Sequence, residues 1–189
     1  MFSIKRLAGV IGIALVVLLG QGIAWPPPHA NAGLKRLAIE DDPGSLPAPV
    51  KAMYEAILSA ARSGELEALR PVIEKNGGPP EFSFGGGNDA IAHWRESSAD
   101  KKGREILAIL VNLLSMPFVH VNAGTRNDMY IWPYLAEADL DKLTPAQEVD
   151  LYRLVSPQEA KTMAEFGGYI WYRLGISREG RWLFFVAGD

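Results

Sequence analysis

Asp89 and His93 stand four residues apart in a stretch with helical spacing, so their side chains fall on one face. A carboxylate beside an imidazole can orient the ring for acid–base work, or begin a metal site. These two are the candidate catalytic pair of the chain. A metal site would need a third ligand, for which His120 or Asp128 would serve, and spacing alone does not bring them together. The competing reading is structural: a surface pair, or a histidine packed beside Trp94. No complete metal set is visible, and no cofactor is expected.

Two further patterns invite chemistry and lack part of it. Gly85-Gly86-Gly87-Asn88-Asp89 lies between a short apolar segment and a helix start, where main-chain N–H groups bind anions. The phosphate-loop pattern ends in Gly-Lys-Ser/Thr, whereas this loop ends in an acid that would itself occupy the helix start. Ser98-Ala99-Asp100-Lys101 has the S-x-x-K spacing of penicillin-recognising enzymes. No S-D-N accompanies it, and Lys161-Thr162-Met163 lacks the glycine of K-T-G.

Aromatic residues gather toward the second half. Tyr130, Trp132 and Tyr134 alternate, as do Tyr169 and Trp171, and Trp182 and Phe184. Alternation in a strand puts each set on one face. Such faces either stack on sugar rings or pack as core, since aromatic side chains dominate cores beneath helices. Trp132, Tyr134, Trp171 and Trp182 are the candidate binding residues. Arg173 joins them as a donor to a carboxylate or glycan, with Arg153, Arg178 and Arg181 nearby.

The elements that must position these groups are legible in the spacing. Val50, Met53, Tyr54, Ile57, Leu58 and Ala61 predict a helix closed by Gly64. A second helix is expected over 65–75, bent or ended in its first part by Pro71. Phe82–Phe84 is a possible short strand, and Asn88 or Asp89 caps a helix through Ser97. The apolar run from Arg104 to Met116 predicts a buried helix, stopped by Pro117. Strands are expected over Phe118–Val121 and Met129–Pro133, around the turn at 122–127. Thr144-Pro145-Ala146-Gln147 and Ser156-Pro157-Gln158-Glu159 are both capping-box helix starts. A hairpin follows, Tyr169–Ile176 and Arg181–Val186. The sum is an α+β domain: an antiparallel sheet of four to five strands with helices packed on one side.

The chain has 189 residues, no cysteine and a formal net charge of −3. Lys5 and Arg6, the uncharged stretch Leu7–Ala24 and the small residues Ala30-Asn31-Ala32 form the three parts of a secretory signal peptide. Cleavage is expected after Ala32, with cleavage after Ala24 and an uncleaved anchor as the alternatives. The domain reading is then signal peptide 1–32, flexible tether 33–49 and a single domain 50–189. The membrane is met only transiently, through the signal segment, and the mature chain is periplasmic or secreted. Loss of Lys5 and Arg6 moves the formal charge from −3 to −5. A mildly acidic surface argues against a nucleic-acid partner, whose backbone demands a basic patch. With no cysteine there is no disulfide, no thiol nucleophile and no lipobox attachment.

Two resemblances add to this. The segment Tyr54–Leu69, with Ala61-Arg62-Ser63-Gly64-Glu65-Leu66, resembles the opening of NTF2-like (SnoaL and ketosteroid-isomerase-like) domains. That likeness implies a curved sheet enclosing a pocket, and here a small pocket enzyme or ligand carrier. Phe82-Ser-Phe-Gly-Gly86, Tyr130-Ile-Trp-Pro-Tyr134, Leu143-Thr-Pro145 and the terminal Trp182–Asp189 together resemble uncharacterised exported proteins of alphaproteobacteria, from which no activity follows. The leading expectation is non-catalytic recognition of an envelope glycan or a periplasmic protein; the alternative is the NTF2-like pocket. Mass spectrometry of the chain recovered after export should give Gly33 as the first residue. An intact Met1 would contradict the cleaved reading.

Overall fold

The computed structural model describes residues 37–85 and 87–188; the expected signal segment, Gly86 and Asp189 lie outside them. Among the described residues no helix is long and apolar enough to cross a membrane.

The first helix, α1 (Ala48–Arg62), buries Val50, Met53, Tyr54, Ile57, Ala60 and Ala61, the stripe that its three- and four-residue spacing predicts. It ends before Gly64, whose φ of +76° suits a residue without a Cβ. A 3₁₀ turn at Leu66–Leu69 then runs into α2 (Arg70–Lys75). The expected second helix is therefore split at Pro71, which stands in the first turn of α2, where its missing N–H leaves no bond unmade. α3 (Ala90–Ser97) starts at Asp89, whose carboxylate accepts the Ala92 N–H. α4 (Arg104–Leu114) buries Ile106, Leu107, Leu110, Leu113 and Leu114.

The sheet holds five strands in chain order, each antiparallel to its neighbours: β1 (Ile39–Glu40), β2 (Phe118–Val121), β3 (Met129–Trp132), β4 (Arg173–Ser177) and β5 (Trp182–Val186). Helices and an antiparallel sheet make this an α+β domain, as the sequence predicts. One face packs beneath α1, α3 and α4 through Phe118, Tyr130, Trp132, Leu174, Ile176, Trp182 and Phe185. Between strands and helices the rings form a layer. Trp132 lies 4.9 Å from Phe118 and 5.8 Å from Tyr54, and Trp94 of α3 stacks on Trp182 at 5.7 Å.

The helices α5 (Pro145–Tyr152) and α6 (Pro157–Phe166) both begin with complete capping boxes, at Thr144 and Gln147 and at Ser156 and Glu159. They form a smaller cluster in which Leu151, Val155, Ala160 and Met163 pack with Val119, Tyr134 and Leu135.

Four local expectations are corrected. The segment read as a tether is held in the fold from residue 39: Ile39 and Glu40 pair with Val119 and Phe118, and Leu46 is buried. Leu46 packs into the core and Leu37 against the smaller cluster around Val119, which the Pro- and Gly-rich composition concealed. Phe82–Phe84 forms no strand; Glu81 alone bridges to Phe184 of β5. Tyr169 and Trp171 precede β4, because the Tyr169 hydroxyl donates to the Tyr172 carbonyl and folds this stretch on itself. Tyr134 leaves β3 at Pro133, which has no N–H to pair, and its own N–H donates to Pro117.

The bare edge of β5 is closed by side-chain and main-chain groups. The Asn76 carboxamide donates to the Trp182 carbonyl and accepts the Trp182 N–H, at 3.0 and 2.8 Å. Asn76 thus joins the end of α2 to the last strand. Asn76→Ala leaves both Trp182 groups unpaired and should cost about 1–3 kcal/mol in urea unfolding. A midpoint equal to wild type would show that this clasp carries no load.

Candidate functional site

The residues expected to bind fall into two groups. Trp132, Trp182 and Tyr134 are buried, at 0, 1 and 1% exposure, and none of them lines the cleft described below. They are core, and the reading of them as a binding surface is corrected. In β5 the alternation itself fails: Gly175 pairs with Phe184 and Ile176 with Trp182, so Leu183 is an extra residue in the strand. That bulge turns Trp182 to the helix-covered face and Phe184 to the other. Gly175 lies so close beneath the Phe184 ring that a Cβ would sit 2.4 Å from it. Trp171 is half-buried and meets Tyr172 edge-on at 5.5 Å, and the Arg173 guanidinium donates to the Gly188 carbonyl at 2.8 Å. Arg153 and Arg178 are engaged with Asp150 and Asp128. Arg181 donates its main-chain N–H to the Ser177 hydroxyl.

Asp89 and His93 do not form a hydrogen-bonded pair. Asp89 accepts at the N-terminus of α3, while the His93 ring lies on Phe82, with centroids 5.2 Å apart. The histidine belongs instead to an open cleft of about 280 Å³. Its floor is Trp94, continuous with the interior through Trp182. Its walls are Phe82, His93 and Tyr172, and Phe84 stands at the rim with 54% of its surface exposed. Burial pushes the Tyr172 phenol up from its ordinary value, so this wall is a neutral hydroxyl-bearing ring. Ser83, Gly85 and Ala187 complete the lining. Sequence reasoning missed Phe84, Tyr172 and Ala187 as site residues. The only available signal was the spacing of Phe82 and Phe84 before the glycines, and it reads equally as a strand.

The Ser98–Lys101 pattern is structural. The buried Ser98 hydroxyl donates to Asp100, and the Lys101 ammonium donates to the Glu96 carbonyl at 2.7 Å. Asp100 in turn accepts the main-chain N–H groups of Lys102, Gly103 and Arg104 ahead of α4, so an internal carboxylate occupies that anion-binding turn.

The described histidine and aspartate that do meet are His120 and Asp128. His120 Nε2 is 2.6 Å from Asp128 Oδ1, and the ring stacks on Tyr130 at 4.3 Å. The second Asp128 oxygen accepts the Gly124 N–H at 2.8 Å and lies 3.7 Å from Arg178. This nearly buried carboxylate ties β2, the turn before β3 and the β4–β5 turn together. Among the described residues no group of three acids or histidines could hold a metal, so His120 and Asp128 do not complete a site with His93.

The Gly124 N–H, then His120, hold the Asp128 carboxyl below the usual carboxylate range. A carboxyl so held contributes stability above its unfolded value of about 3.9, and that contribution is lost as pH falls through the folded value. Wild type should therefore exceed Asp128→Asn in stability at neutral pH, and the gap should close on acidification, followed by urea titration. A gap independent of pH would contradict the assignment. Comparison of the chain with protein-family models, with curated proteins and with solved structures finds no match.

Proposed function

We propose that this chain is an exported recognition domain, without catalysis of its own, that takes an envelope component or a periplasmic protein segment in the Phe82–Phe84–Tyr172 cleft. Export rests on the signal-peptide pattern of residues 1–32. Recognition rests on one observation above the rest: the aromatic core reaches the surface at this cleft, where the exposed Phe84 lines one opening with Tyr172 and with His93, whose ring lies on the buried Phe82. Apolar rings with a few polar groups at their edge are the ordinary lining of a ligand site.

The sequence patterns that suggested catalysis support this reading by where they lie. Asp89 serves a helix cap, Ser98 a loop and Asp128 a turn. A small-molecule enzyme or carrier of the NTF2-like type would need an enclosed pocket, and beneath the helices Trp132, Trp94 and Trp182 fill that space.

The test is a titration of the ¹⁵N-labelled protein with soluble peptidoglycan fragments and, separately, with peptides. Resonances of His93 and Tyr172 should move. Phe84→Ala should weaken binding about tenfold, the value of one aromatic contact, with no change in thermal melting because the ring is mostly exposed. A cleft silent to both ligand classes would overturn the proposal.

A further inference from the structure

The cleft carries more hydrogen-bonding capacity than the protein itself uses. Ser83, His93 and Tyr172 line it, and each of them is half-buried. Among the described residues the Tyr172 hydroxyl has no hydrogen-bond partner. Its ring is held instead by Trp171 and Phe185, at 5.5 and 5.1 Å. The His93 ring nitrogens likewise bond to no described residue, and the ring rests on Phe82. The Ser83 oxygen accepts the Gly85 N–H at 3.1 Å, and its own hydrogen has no acceptor among the described residues.

These features narrow the ligand by what each class would leave unmatched. A charged group would meet no counter-charge, since no Arg, Lys, Asp or Glu lines the cleft. An apolar side chain would fill the space between the rings and strand the polar groups around it, each at the cost of an unmade bond. A ring with apolar C–H faces and hydroxyls around its rim satisfies both. Its C–H groups are attracted to the electron-rich faces of aromatic rings. The volume of about 280 Å³ is at the lower end of ligand sites and suits a single ring.

We infer that the cleft takes one uncharged sugar ring. This rests on the recognition reading above and names its ligand class. A C–H face of the sugar lies against Phe84, whose ring is more than half exposed and so open to contact. The sugar hydroxyls pair with the Tyr172 hydroxyl, a His93 ring nitrogen and the Ser83 hydroxyl. The aromatic rings supply contact area, and the polar groups fix which way the sugar lies.

The experiment titrates the ¹⁵N-labelled protein with N-acetylglucosamine, its β-1,4-linked trimer, its 6-phosphate and the end-blocked amino acid N-acetylphenylalaninamide. Monomer and trimer should both move the amide resonances of Ser83 and Gly85. Tighter binding of the trimer assigns the ring to a glycan chain, and equal affinity assigns it to a free sugar. Tyr172→Phe should weaken both sugars about fivefold, the loss of one hydrogen bond, with thermal melting unchanged. His93→Phe keeps a ring on Phe82, removes the nitrogens and should weaken them alike. Sugar affinity untouched by both substitutions, or a tighter grip on the 6-phosphate, would overturn the inference. Shifts with the phenylalanine derivative or with peptidoglycan fragments, but with neither sugar, would overturn it and leave the recognition proposal standing. Silence toward every probe would remove both.

Discussion

Two groups of aromatic rings, joined through the aliphatic residues of one core, hold this domain together and decide where it opens. Tyr54, Trp132 and Phe118 stack between α1 and the sheet, and Trp182, Trp94, Phe82 and His93 follow one another outward from it. With no cysteine in the chain, packing must supply the hold that disulfides give to small disulfide-dense domains. Rings of this size fill the volume beneath the helices densely, and voids in such a layer are costly. The filled interior and the open cleft therefore have one cause. The layer runs out of helix to cover it beyond Trp94, and the residues that meet solvent there are aromatic.

The same end of the molecule shows how the last strand is managed. An uncovered edge strand invites pairing with another chain, and proteins blunt such edges with short covers or side chains. Here Asn76 and Glu81 cover β5 from Trp182 to Phe185, and the cover ends at Ser83. The cover thus ends beside the cleft, next to the glycines at 85 and 87. The opposite edge of the sheet is formed by β1, two residues long, paired with β2.

Much of the architecture was legible because its signals are local. The stripe of α1, the cap of α3, both capping boxes and the stop at Pro117 depend on residues within one or two turns of each other. The facing of aromatic residues was not, because alternation holds only in an unbroken strand. Pro133 ended one alternation before Tyr134, and the extra residue Leu183 inverted another between Trp182 and Phe184. The clasp of His120 and Asp128 was hidden for a related reason: it depends on the turn between β2 and β3, where Asn122 takes a φ of +54°. The cleft itself depends on a strand that stops after one residue, and Phe82-Ser83-Phe84 spells a strand that continues.

The central claim is that this cleft, rather than the exposed apolar residues of α5, is where the protein meets its partner. A photo-crosslinking residue in place of Phe84, compared with one in place of the still more exposed Val149, tests it directly in cells that express the protein. The account predicts a defined adduct from position 84 and none from position 149. Adducts from both positions in equal yield, or from position 149 alone, would contradict it.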